Sequence, residues 1–204
     1  MLRSATYSLV AYLVFFSGIA NSEENDWSAN LNLFIGSKHM TDPFFASPET
    51  DSHFESGMLF DITPSHWPVS LVVDRFRSHS VETLAYAIAT LSNYTAQSRT
   101  TETDIGVRKV WKSSSINRIH IGGGLAHIDA EVAEYHRPVF AADLTKNDSD
   151  KGIGLWIDLG VYATPVSWFN IGFEARYSHA KVKLLGENIS AGGRHGGLII
   201  GLHF

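Results

Sequence analysis

From Trp27 to the C-terminus the chain alternates apolar and polar side chains. In Phe169-Asn170-Ile171-Gly172-Phe173-Glu174-Ala175-Arg176-Tyr177-Ser178 the odd positions are Phe, Ile, Phe, Ala and Tyr, and the even ones Asn, Gly, Glu, Arg and Ser. A period of two sustained over such a stretch predicts a strand with one apolar and one polar face. The same rule puts Ile153, Leu155, Ile157, Leu159 and Val161 on one side of the preceding strand and Gly154, Trp156, Asp158, Gly160 and Tyr162 on the other. It recurs at Leu31, Leu33 and Ile35, at Phe54, Met58, Phe60 and Ile62, and at Val69, Leu71 and Val73. Ile105 and Val107, then Ile119, Ile121 and Leu125, then Leu198, Ile200, Leu202 and Phe204 continue it.

Eight strands follow, near 27–38, 52–62, 68–78, 100–111, 117–130, 152–163, 168–182 and 193–204. Short connections at 63–67, 112–116 and 164–167 alternate with long ones at 39–51, 79–99, 131–151 and 183–192. Short turns on one side and long loops on the other are the pattern of an outer-membrane barrel, and strands of about 11 residues suit a tilted crossing of the bilayer. The expected fold is therefore all-β: an 8-stranded antiparallel transmembrane up-and-down β-barrel with short periplasmic turns and long extracellular loops.

A water-soluble barrel would turn its apolar face inward, and two features argue against it. The polar face carries Gly57, Gly106, Gly122, Gly124, Gly154, Gly160 and Gly172 among isolated charges, which suits the narrow lumen of eight strands. Trp27, Trp67, Trp111 and Trp168, with the terminal Phe204, collect at the short-turn side, as a periplasmic aromatic girdle requires.

One segment departs from the period. Val81, Leu84, Ala85, Ile88 and Leu91 recur at helical spacing behind Ser80, a fitting N-cap. Over 81–92 two expectations stay open, a short helix in the longest loop or an upward extension of the flanking strands.

The N-terminus carries a different signal. Arg3 precedes an almost unbroken apolar run from Tyr7 to Phe16, and Gly18-Ile19-Ala20 offers small residues for cleavage. Residues 1–20 therefore read as a secretory signal peptide, the apolar run being too short to span a membrane as a helix. Residues 21–26 follow as a short periplasmic N-terminal segment, and 27–204 form the barrel domain.

Composition narrows the partners. The net charge is −5 and no basic run occurs, so nucleic acid is not an expected partner. There is no cysteine, which excludes disulfides, thiolate metal sites and a cysteine nucleophile. The fold must hold by packing and hydrogen bonds.

Gly106-Val107-Arg108-Lys109-Val110-Trp111, the run Ile121 to Ala130, and the ending Ala191 to Phe204 resemble the small outer-membrane β-barrel proteins of Gram-negative bacteria, the group of the OmpA membrane domain, OmpX and OmpW. The similarity extends over nearly the whole chain from Trp27. It implies the bacterial outer membrane as the location, with lipid and lipopolysaccharide as surroundings. It also implies that the insertion machinery recognises Phe204. Its motifs are strand and turn patterns and bring no active site with them.

By parity the lumen-facing polar residues are Asn32, Lys38, Glu55, Asp61, Asp74, Asp104, Arg108, Arg118, His120, Asp158, Glu174 and Arg176. Opposite charges on neighbouring strands, such as Asp74 and Arg108, can pair there, so Asp74, Asp104, Arg108, Asp158, Glu174 and Arg176 are expected to form a polar network. A lumen filled in this way conducts little. None of the 10 histidines has a tight metal-ligand spacing, so neither a metal site nor a cofactor is expected.

Lipid A deacylases of this size place a serine and a histidine at the membrane rim, which draws attention to Ser178-His179. Adjacent strand residues point to opposite faces, and Lys181 stands where that family's His-x-Ser-Asn pattern has its serine. A lipid-modifying hydrolase is the second reading, and a soluble periplasmic carrier the third. The first is a monomeric, non-enzymatic barrel that acts structurally or binds at the cell surface. Its expected contact surface comprises Tyr86, Ile88, Leu91, Tyr94, Tyr135 and Phe140, aromatic and apolar groups that nothing in a barrel requires.

Overall fold

The computed structural model describes residues 27–42, 52–86, 92–138 and 144–204; within these, the side chains of 81–86, 92–96, 134, 136–138 and 144 are left aside. The strands are β1 (Trp27–Met40), β2 (Ser52–Pro64), β3 (Ser70–Tyr86), β4 (Ser92–Lys112), β5 (Asn117–Pro138), β6 (Leu144–Val166), β7 (Phe169–Leu184), β8 (Glu187–Ser190) and β9 (Gly193–His203). Each pairs antiparallel with the next from β1 to β7, β9 joins β7 to β1, and so eight strands close a ring with no edge. The short β8 folds back on the end of β7 alone.

The rungs give the geometry of closure. Starting at Phe169 on β7, successive partners are Leu202, Leu31, Phe60, Val73, Ile105, Leu125 and Leu155, and the circuit returns to β7 at His179. A stagger of ten residues over eight strands corresponds to a strand tilt of ~40–45° and a lumen that side chains can fill. That rung is also apolar nearly all the way round. Leu33, Ile35, Ile105, Leu125, Ile153, Leu155, Ile157, Phe173 and Leu198 are all exposed on the outer wall, the reverse of a soluble barrel. An apolar outside on a closed ring is what a bilayer stabilises.

Past the outer end of this band the polarity of the wall inverts. On β5, Ile119, Ile121 and Leu125 face out, but beyond them Ala126, Ile128 and Ala130 are buried inside while His127 and Glu131 face out. On β7, Ile171, Phe173 and Tyr177 face out, whereas Ala180, Val182 and Leu184 are buried and His179, Lys181 and Lys183 exposed. The parity of the strand never changes; the solvent outside it does. Met40, Ile128, Val182, Leu184, Ile189 and Ala191 form an apolar core inside this upper wall, and β8 closes over it.

Several expectations need correcting. The helix over 81–92 does not form: 81–86 continue β3 and pair with 92–97 of β4. Residues 87–91 lie outside the described residues. The long connections at 79–99 and 131–151 are largely strand, since β4, β5 and β6 run to 21, 22 and 23 residues. The connection at 183–192 is a hairpin whose two central residues, Leu185 and Gly186, both have positive φ, 50° and 90°. That is the two-residue turn whose twist matches the flanking strands. The sequence does not announce this turn, because leucine, not asparagine, occupies its first position.

Candidate functional site

The lumen holds the densest chemistry. Toward the loop end, Lys38 on β1 lies 2.9 Å from Glu102 on β4, and its Nζ also reaches the Thr100 hydroxyl. The Ser178 hydroxyl is 3.0 Å from Glu102 Oε2 and 3.0 Å from His195 Nε2. His195 Nδ1 meets Glu55 Oε2 at 2.8 Å. Serine, histidine and carboxylate thus stand in line, with the histidine supplied by β9. All three are buried, Ser178 at 0% exposure, with the hydroxyl directed at Glu102. The rim pair Ser178-His179 is divided as strand parity requires, because the exposed His179 bonds Ser190 instead.

Below lies a lattice built on two guanidinium groups. Arg176 pairs with Asp104 and Asp74, and reaches Asp158 at 3.2 Å and Glu174 at 2.9 Å. Arg108 pairs with Asp158 and reaches Asp74 at 3.0 Å, Asp61 at 3.5 Å and Glu174 at 3.5 Å. The Arg176 guanidinium is also sandwiched between Phe76 and Trp156, 4.4 and 4.5 Å from their ring centroids. The structure thus brings Asp74, Asp104, Arg108, Asp158, Glu174 and Arg176 into one contiguous network. Lumen parity singled out all six, but not the aromatic sandwich, since Phe76 and Trp156 break the polar pattern of the inner face.

Nearer the short turns, Asn30 donates to Asp61, and Asn170 donates to Asn30 and Asn32. Phe34, Leu59, Phe76, Tyr162 and Ile199 pack among these layers. Arg118 is half-buried and bonds turn carbonyls rather than joining the lattice.

On the outside, Trp67, Trp111 and Trp168 are exposed at the short-turn end, with Trp27 and Phe204 half-buried beside them. Phe204 and Ala29 exchange backbone hydrogen bonds, which ties the C-terminus to β1. Of the expected contact surface, Tyr135 is exposed at the upper wall beside a cleft of ≈ 500 Å³ that His79, Arg99, Glu131 and Asn147 also line. Tyr86 and Tyr94 lie on β3 and β4, and Ile88, Leu91 and Phe140 fall outside the described residues. A cationic belt that sequence reading did not single out marks the polarity inversion: Arg75, Arg77, Arg99, Lys151, Lys181 and Arg194 all face out.

No protein-family model and no curated protein matches the sequence. Among solved structures, the chain is similar to Ail, the attachment invasion locus protein of Yersinia pestis, in complex with the heparin analogue sucrose octasulfate. The TM-score is 0.53 at 10% identity, covering 88% of this chain and 100% of that one. It also matches neisserial surface protein A at TM-score 0.48 and 13% identity, covering 89% and 98%. Similarity at such low identity speaks to architecture, and it agrees with the strand register: the fold of this chain is the eight-stranded barrel of the small outer-membrane β-barrel proteins.

Proposed function

We propose that residues 1–20 direct export, that 21–26 remain as a short periplasmic segment, and that the barrel resides in the bacterial outer membrane as a surface-displayed binding protein. The observation that carries this reading is the length of the wall. A strand of 22 residues at a tilt of ~40–45° rises ~50 Å, about twice the apolar band it must cross. The β3–β4 and β5–β6 hairpins therefore project well beyond what anchoring needs, and they carry Tyr86, Tyr94 and Tyr135 with them. Ail is named for attachment and invasion and was solved with a sulfated ligand, which supports a binding role for this fold.

The cationic belt sits where the phosphates of lipopolysaccharide meet the apolar band, which supports contact with that lipid. Trp27, Trp67, Trp111, Trp168 and Phe204 fit the opposite interface as an aromatic girdle. Phe204 is also the residue we assign to recognition by the insertion machinery. The buried ion lattice acts as a plug, so the protein is not a conduit, and the Ser178-His195-Glu55 line is part of that plug rather than a catalytic centre.

A truncation matched to the register tests the reading. Thr83, Thr95, Tyr135 and Thr145 share one rung, so replacing 83–95 and 135–145 with Asn-Gly turns shortens both hairpins without leaving an unpaired edge. The truncated barrel should still shift on a gel between unheated and boiled samples, while cells displaying it lose binding to host cells or matrix. Undiminished binding refutes the role of the hairpins. A lipid A acyl pattern that depends on Ser178 would establish the hydrolase instead.

A further inference from the structure

We infer that the lumen contains a site for a divalent transition-metal ion, Zn²⁺ foremost, held by His120, Asp158 and Glu174. The three side chains come from β5, β6 and β7, and one donor atom from each lies within 4.8 Å of the other two. All three are almost wholly buried. Neither His120 nitrogen has a hydrogen-bond partner, nor do Asp158 Oδ1 and Glu174 Oε2. The His120 ring stands in a lumen crowded with donors and acceptors, and its contact with Glu174 has ion-pair distance without the geometry of a hydrogen bond. Buried polar atoms normally find partners, so three orphaned donor atoms converging on one point indicate a ligand.

The geometry and charge agree with a metal. His120 Nε2 and Glu174 Oε2 are 3.3 Å apart. Two donors ~2.0–2.1 Å from a tetrahedral ion are separated by about 3.3–3.4 Å. One imidazole and two carboxylates suit Zn²⁺ and its transition-metal neighbours better than Ca²⁺ or Mg²⁺, which favour all-oxygen sites. The ion lattice around the site comprises five carboxylates, Asp61, Asp74, Asp104, Asp158 and Glu174, against the guanidinium groups of Arg108 and Arg176. By formal charge the carboxylates outnumber the guanidinium groups, an excess that a dication or bound protons can offset, even with Arg108 drawn to the same Glu174.

Two glycines leave room for the donor atoms. A Cβ at Gly160 would lie 2.6 Å from His120 Nε2, and one at Gly122 would lie 2.6 Å from Asp158 Oδ1. The site lies toward the short-turn end, since His120 is only the fourth residue of β5, and Asn30, Asn32 and Asn170 form a polar layer on that side. Sequence spacing could not reveal the site, because each ligand comes from a different strand.

The test starts from chain refolded out of urea into detergent micelles, with and without Zn²⁺, followed by dialysis against weak chelator. The parent should retain one equivalent of zinc by atomic emission, and Co²⁺ in its place should give intense visible bands of low-coordinate geometry. In His120→Gln the affinity should fall more than ~10-fold. Exposed His179→Gln should bind like the parent. A folded parent that retains no stoichiometric zinc, its surplus charge neutralised by protons instead, overturns the inference, and so does parental affinity in His120→Gln. Should His120→Gln fail to fold, the ¹⁵N resonances of the His120 ring in the parent decide. They move on adding Zn²⁺ if the site is real, and unmoved resonances overturn it.

Discussion

Replacing Arg176 with methionine isolates what the ion lattice contributes to the fold. The substitution keeps most of the volume between Phe76 and Trp156 and removes one of only two guanidinium groups among five carboxylates. Asp74, Asp158 and Glu174 retain Arg108, but Asp104 has no other ion pair among the described residues. A buried carboxylate stripped of its partner costs about 3–5 kcal/mol. The lost cation–π contacts add ~1–2 kcal/mol, part of which the methionine sulfur returns.

Arg176→Met should therefore destabilise the barrel by ~3–5 kcal/mol in urea titrations in micelles or thin vesicles, followed by tryptophan fluorescence. Asp104→Asn alone should cost under ~1 kcal/mol, because it relieves a lattice already in negative surplus. Combined with Arg176→Met it should restore ~2 kcal/mol or more, a coupling far outside the additivity expected of independent sites. If Arg176→Met costs less than ~1 kcal/mol, or the two changes simply add, the lattice is not the interdependent structure its geometry indicates.

Other expectations probe the walls. Ile157→Arg, on the lipid face near mid-membrane, should cost about 2–4 kcal/mol for folding into vesicles, whereas arginine at exposed His127 should be near neutral. Above the inversion, Ile128→Ala should cost ~2–5 kcal/mol as in a soluble core, while Ile153→Ala on the outer wall should cost well under ~1 kcal/mol, since lipid refills the space. At Asp150, on the upper wall, the backbone N–H of Lys183 donates at 2.6 Å and holds the carboxyl below its ordinary 3.8. A depressed folded value means the contact is present above the unfolded value and is lost as pH falls through the folded one. The Lys183 amide resonance should report a midpoint below 3.8, and its pH dependence in that range should vanish in Asp150→Asn.

How much was legible follows from which physical signal each feature left behind. Strand parity, the outward apolar face and the lumen-facing charges were readable because a strand alternates with period two whatever it packs against. Strand ends were misjudged for the same reason. An outward apolar face marks a strand only within the bilayer, and on β5 it ends at Leu125, although Ala126, Ile128 and Ala130 keep the same alternation with the opposite sense. On β3, Val81, Leu84 and Ala85 imitate a helical stripe by chance of spacing, but past His79, where pairing with β2 ends, the strand stays in register with β4 as far as Tyr86 opposite Ser92. Leu185 concealed a hairpin because the residue that normally announces that turn is absent.

Parity says which side chains enter the lumen, whereas the stagger says which of them meet, and only the latter makes chemistry. With a shear of ten residues, Glu55 on β2 reaches across the lumen to His195 on β9, 140 positions away, while Ser178, adjacent in sequence to His179, is separated from it by the barrel wall. Pairing register on three neighbouring strands gathers His120, Asp158 and Glu174, with Gly160 opposite both His120 and Glu174, while Arg118, of the same parity, ends at the turn carbonyls. A one-residue slip in any pairing would exchange lipid-facing leucines for lumen aspartates along an entire strand. The buried charges therefore make wrong registers far costlier than an apolar lumen would, which is a reason for the barrel to retain them.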